Sequence, residues 1–161
     1  MTEPRWPVAD FDPVRRLRVI AATTPGAIVH EQVVAAPFDT VWSVAADLEH
    51  ELALWLFPDI RSVRVTPVGP ERCVADVRGH SLLRARFDVV LRPGWCLMRS
   101  RYLIGGMAAT AEGDATRFAF LGGLRGPLRP LGTLLRPFRG SVGRHAQARF
   151  GERVALSGGK P

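Results

Sequence analysis

Apolar residues alternate with polar ones through the middle of this chain and recur at helical spacing on either side of it. The segment 82–91, LLRARFDVVL, shows the alternation most plainly. As a strand it puts Ala85, Phe87, Val89 and Leu91 on one face and Arg84, Arg86 and Asp88 on the other. The segments IRSVRVTPV, ERCVADVRG, WCLMRSRYL, IGGMAATAE and TRFAFLGGL read as further strands, with Cys96, Met98, Ser100 and Tyr102 on one side of the fourth and Phe118 and Phe120 together on one side of the last. Pro93-Gly94 and Gly113-Asp114 mark tight turns between them. Short strands joined by tight turns predict an antiparallel meander. One more β-branched segment, AIVHEQVV at 27–34, predicts a strand ahead of it.

The helical patterns flank these strands. In residues 12–24, Asp12 is placed to cap, Pro13 fits a first helical position, and Val14, Leu17 and Ala21 share a face. Pro25-Gly26 ends that helix. A second pattern begins at Pro37 with a stripe of Val41, Val44, Ala45 and Leu48; Leu48, Leu52, Trp55 and Leu56 form another. Two short helices or one bent helix satisfy both, and Pro58 is the stop. In the tail, Leu131, Leu135, Phe138, Val142, Ala146 and Phe150 continue at helical spacing. Pro137 must kink or interrupt that helix, and Gly140 and Gly143 weaken it nearby. A long C-terminal helix, irregular in its first half, is expected, fraying after Leu156.

Strand, two small helices, a run of antiparallel strands, then a long helix: with Ala36-Pro37, Val41-Trp42, Asp47, Trp55, Pro58 and the Val63/Val65 strand, this order resembles the START-like or SRPBCC superfamily. The resemblance covers about residues 27–156. It implies an α+β helix-grip fold, in which a curved antiparallel sheet of six or seven strands wraps the C-terminal helix. Residues 1–26 are then an N-terminal extension with a short helix, and 157–161 a frayed tail. The resemblance also implies a cavity between sheet and helix. Trp55, Phe57, Phe87, Val89, Met98, Tyr102, Phe118, Phe120 and Phe138 are the candidate lining, an apolar wall suited to a hydrophobic or aromatic ligand. The same faces could equally fill a solid core.

Composition narrows this picture. A chain of 161 residues with 47% hydrophobic residues has the size and apolar content of one globular domain. The longest mostly apolar run, residues 103–111, is too short to span a bilayer, and the start lacks the layout of a signal peptide, so a cytoplasmic location is expected. The net charge is +7, and residues 117–153 hold eight arginines but one acid, Glu152. Arg129, Arg136 and Arg139 are candidates to face an anionic membrane surface or an acidic partner, the alternative being a solvated face. Nucleic-acid binding is not expected, because no recognised motif accompanies the charge.

Catalytic signals are sparse. The four histidines have no partner at metal-ligand spacing, so no metal is expected, and the glycine pairs lack the context of a phosphate loop. The acid–His run Asp47, Glu49, His50, Glu51 reads as the wet side of a short helix. The resemblance implies one enzyme reading, a polyketide aromatase/cyclase in which Tyr102, with His80 or Arg78, donates protons inside the cavity. Cyclases of that group tend to carry a Tyr just after the Trp-Leu-Phe-Pro segment, and this chain does not. A noncatalytic binder or carrier of a lipid or polyketide-like molecule needs only the cavity. An interaction protein with a basic face is a third reading. No cofactor is implied. The oligomeric state, and whether the 12–24 helix packs on its own domain, stay open.

Overall fold

The computed structural model describes residues 12–56, 59–82 and 84–159, and for residues 136–139 the backbone alone. In chain order its elements are α1 (Pro13–Thr23), β1 (Ile28–Val34), α2 (Phe38–Ala46), α3 (Leu52–Trp55), β2 (Ile60–Gly69), β3 (Arg72–Gly79), β4 (Arg84–Arg92), β5 (Trp95–Arg99), β6 (Leu103–Glu112), β7 (Ala115–Leu124), a 3-10 turn (Gly126–Leu128), α4 (Arg129–Leu134) and α5 (Arg136–Gly158). The seven strands form one sheet in the order β1-β7-β6-β5-β4-β3-β2, and every pairing is antiparallel. Six strands follow one another as hairpins. β1 closes the far side by pairing with β7.

Both faces of this sheet are covered, each by a core of its own. On the inner face, Ala146, Phe150 and Val154 of α5 pack with Trp55 of α3 and with Met98, Met107, Phe118 and Phe120 of the strands. The Phe150 ring stacks on Phe118 at 4.0 Å, and Trp55 meets Phe150 edge-on at 4.9 Å. Contacts of this geometry add about 0.5–1.5 kcal/mol beyond the apolar area they bury. The stripe on α2 is buried as its spacing requires, with Val41, Val44 and Ala45 in the same core.

On the outer face, α1 lays Val14 and Leu17 against Trp95, Leu97, Ile104, Ala108, Ala119 and Leu121. The Asp12 carboxylate accepts the Arg15 amide at 3.0 Å, capping the helix, and Pro13 occupies its first turn. Arg18 makes a two-pronged ion pair with Glu31 of β1 at 2.5 and 2.6 Å. The 12–24 helix therefore packs on its own sheet.

The C-terminal helix is broken where its prolines require it. α4 ends at Leu134, Leu135 forms the break, and α5 restarts with Pro137 in its first turn, where no amide hydrogen is needed. Beyond that point α5 runs unbroken to Gly158. Cys73 and Cys96 are buried free thiols on the inner face, and burial pushes the Cys96 thiol up to about 12.

Candidate functional site

The sheet's inner face is solid at one end and hollow at the other. The hollow begins with two glycines. Gly105 of β6 lies directly opposite Gly122 of β7, and the same row continues to Met98 on one side and Ile28 on the other. Two adjacent strands thus bring no side chain to the centre of the row. α5 passes above, and the space between is a cavity of about 360 Å³. Ile28, Phe87, Met98, Met107, Phe120 and Ala146 are among its walls. It reaches the surface beside Leu135 and Val142, which are 36% and 43% exposed.

Two nitrogen-bearing side chains interrupt this apolar wall among the described residues: His30 and Trp55. The His30 imidazole stacks on Phe120 at 5.1 Å. It also presses on α5 at Gly143, where an added Cβ would come within 1.9 Å of Nε2. A glycine inside a helix costs about 1 kcal/mol against alanine. Here the missing Cβ is what lets the ring lie against the helix. Trp55 is wholly buried, and its Nε1 has no hydrogen-bond partner among the described residues. Leaving such a donor unpaired costs about 1–3 kcal/mol, which a ligand oxygen accepting from it would recover.

The residues proposed from sequence divide into four groups. Trp55, Phe87, Met98 and Phe120 line the cavity. Val89 and Phe118 face the same way but are packed into the solid core, at 2% and 0% exposure. Phe57 lies outside the described residues, as do the side chains of Phe138, Arg136 and Arg139. The proton-donor group is not in the cavity. Tyr102, expected to point inward with Met98, is 38% exposed and sits beneath the Arg101 guanidinium at 5.1 Å. The alternation that aimed it inward stops at Arg99. Ser100 Oγ there accepts the amides of Tyr102 and Leu103 at 3.3 and 2.9 Å, turning the chain. Arg78 lines a separate surface hollow of about 660 Å³ with Glu49, His50 and Arg84. His80 is exposed, its amide donating to the Asp59 carbonyl at 2.8 Å. A Tyr102–His80–Arg78 constellation is therefore not assembled.

The acid–His run has structural partners. Asp47 accepts from the His50 amide and imidazole at 3.1 and 2.8 Å, and this carboxylate raises the His50 pKa above its ordinary value. Glu49 accepts the Val65 amide at 2.6 Å, and Glu51 holds Arg153 of α5 through two contacts of 2.8 Å. Several tail arginines are likewise engaged internally: Arg149 donates to the Trp55 and Leu56 carbonyls, and Arg117 pairs with Glu112. Arg129 is exposed at the start of α4.

Cavity, grip and topology together define the helix-grip, START-like class, and solved structures agree. The chain superposes on the TTHA0849 protein of Thermus thermophilus with a TM-score of 0.59, at 18% identity over 83% of this chain and 99% of that one. The Zhui aromatase/cyclase from Streptomyces sp. R1128 gives 0.55, at 18% identity over 79% and 92% of the two chains. The di-domain aromatase/cyclase StfQ from the steffimycin biosynthetic pathway gives 0.63 at 10% identity, covering 89% of this chain and 55% of that one. At these identities the likeness is one of fold, and the chain has the START-like fold. No family model matches the sequence. The curated relatives it matches are insertion element IS1 InsB proteins of Escherichia coli (strain K12), 33% identical over 103 residues. That match takes in 60% of this chain, which spans 60% of their length, and it establishes no shared family.

Proposed function

We propose that the protein binds a small hydrophobic or aromatic molecule in the cavity between the sheet and α5, as a binder or carrier. The observation that carries this reading is the cavity itself: about 360 Å³, apolar, and open at Leu135 and Val142. Its size falls at the lower end of known ligand pockets. At roughly 30 Å³ per water-sized group, it takes about a dozen non-hydrogen atoms. That suits one or two rings or a short acyl tail, with a longer ligand extending through the mouth. The unpaired Trp55 Nε1 and the His30 ring favour a ligand with a carbonyl or hydroxyl oxygen on its buried part.

The titratable side chain among these walls also supports a second reading, polyketide cyclisation like that named for the Zhui and StfQ proteins. In this chain His30, rather than Tyr102, is the group at the cavity suited to moving a proton. On that reading His30→Gln removes turnover while a retained ligand still binds.

Native mass spectrometry of protein purified from its own host tests the first reading. A retained small apolar mass is expected. Trp55→Phe, which deletes the N–H and keeps the ring packing, should weaken binding of a carbonyl-bearing aromatic about 5- to 100-fold. Absence of any retained mass, together with no thermal stabilisation by a panel of aromatic and acyl compounds, would contradict the proposal.

A further inference from the structure

The outer face of the same sheet carries a second concavity, of different chemistry. A groove of about 680 Å³ there is lined by seven arginines and one aspartate, Asp88. Arg72, Arg86, Arg92 and Arg99 come from β3, β4 and β5, Arg16 from α1, and Arg101 and Arg125 from its far end. Its floor is apolar, built on Val90, Trp95 and Leu97.

Elsewhere in the molecule, arginines are matched by acids. Arg18 pairs with Glu31, Arg117 with Glu112, and Arg153 with Glu51. In the groove the match fails. Arg92 meets Glu71 at 3.8 Å on the exposed rim. Among the described residues, no ion pair joins Arg72, Arg86 or Arg99 to a carboxylate. Uncompensated guanidiniums in a recess focus a positive field and are shielded from counter-ions less than those on a flat surface.

We propose that this groove docks an acidic, amphipathic segment of a protein partner. Carboxylates of that segment meet the guanidiniums as two-pronged contacts, and one or two of its apolar side chains rest on the Val90–Leu97 floor. The same chemistry disfavours other polyanions. A nucleic-acid strand needs an open aromatic face for base stacking. The aromatic ring here, Trp95, is 5% exposed and already covered by the Arg16 guanidinium at 4.8 Å. Asp88 repels a continuous phosphate track. A bilayer surface is planar, whereas these side chains line a depression. The proposal does not depend on what fills the inner cavity.

Fluorescence anisotropy tests it with a labelled helical peptide carrying glutamates on one face and leucines on the other. Binding that weakens with added salt is expected. Arg86→Glu with Arg99→Glu, both exposed in the free protein, should weaken it about tenfold or more. Arg129→Glu with Arg144→Glu changes net charge equally from other exposed sites and should leave the affinity within about twofold. If the double reversal fails to fold, Arg86→Gln with Arg99→Gln reads the same contrast with a smaller loss. Equal losses in the groove and control variants would overturn the proposal. So would tighter binding to a single-stranded oligonucleotide, or to phosphatidylserine vesicles, than to the peptide.

Discussion

The two faces of this sheet are built from alternate residues of the same strands, yet they do opposite things. The inner face is closed at one end by the Trp55–Phe118–Phe150 rings and hollow at the other. The outer face is closed by α1 over β5, β6 and β7, and lined with arginine beyond it. Two neighbouring glycines show how finely the division is made. Gly105 faces inward, opposite Gly122, and helps to empty the cavity. Gly106 faces outward, where an added Cβ would come within 2.8 Å of Leu17 Cδ1. One glycine leaves room for a ligand; the next leaves room for a helix. A glycine pair in a strand can thus serve two faces at once, which is a reason for the pair other than a turn or a phosphate loop.

The largest expected effect comes from the closed end of the inner face. Phe150→Ala removes a ring stacked at 4.0 Å on Phe118 and should cost about 3–5 kcal/mol in urea unfolding. Leu17→Ala opens the outer core and should cost about 2–5 kcal/mol while leaving ligand affinity nearly unchanged. If Leu17→Ala abolished binding as Phe150→Ala does, the two faces would not be separable. The glycines give a finer contrast. Gly106→Ala should destabilise by about 1–3 kcal/mol, because Leu17 is fully buried and cannot yield. In Gly105→Ala the new methyl meets only the flexible end of Met98, at 3.2 Å. Stability should then stay within about 1 kcal/mol, and the effect should appear in ligand affinity, read by calorimetric titration.

The smallest effect lies outside both faces. Asp47 raises the His50 pKa, so the folded state favours the charged imidazole. Its stabilising contribution is fully present below the unperturbed value of 6.5 and is lost as pH rises through the higher folded value. The imidazole is exposed, so the contribution to unfolding is small. The ring resonance in a proton NMR titration is the sensitive readout. Its midpoint should lie above 6.5 and fall toward that value in Asp47→Asn.

Much of the architecture can be read from the chain, and the limits of that reading are physical. β4 alternates cleanly, and Ala85, Phe87, Val89 and Leu91 face inward as their spacing requires. Asp12, Pro13 and Pro137 mark helix starts by rules that act over a few residues. The hollow is different. Phe118 and Phe120 sit two apart on one face, and only one of them lines the cavity. Which one depends on where Trp55 and α5 arrive, and that is set by contacts distant in sequence. Tyr102 is misread because a serine turn ends the strand's alternation three residues earlier than the pattern suggests. His30 is missed because its strand carries polar residues inward and valines outward. Gln32 reaches the Gln147 carbonyl of α5 from the inner side, while Val29 packs with the α1 core. The available signal was a histidine in a strand, together with a glycine, Gly143, in the middle of the helix that covers it.

The central claim is that the hollow half of the inner face takes up a small apolar molecule. Methionine methyl NMR tests it most directly. Of the three methionines in the chain, Met98 and Met107 line the cavity. During titration with 2-naphthol, an aromatic of suitable size with one hydroxyl, the Met98 and Met107 methyl signals should shift together and saturate. Met98→Leu and Met107→Leu assign the two resonances. Signals that stay fixed while naphthol binds elsewhere, or that drift without saturating, would contradict the account.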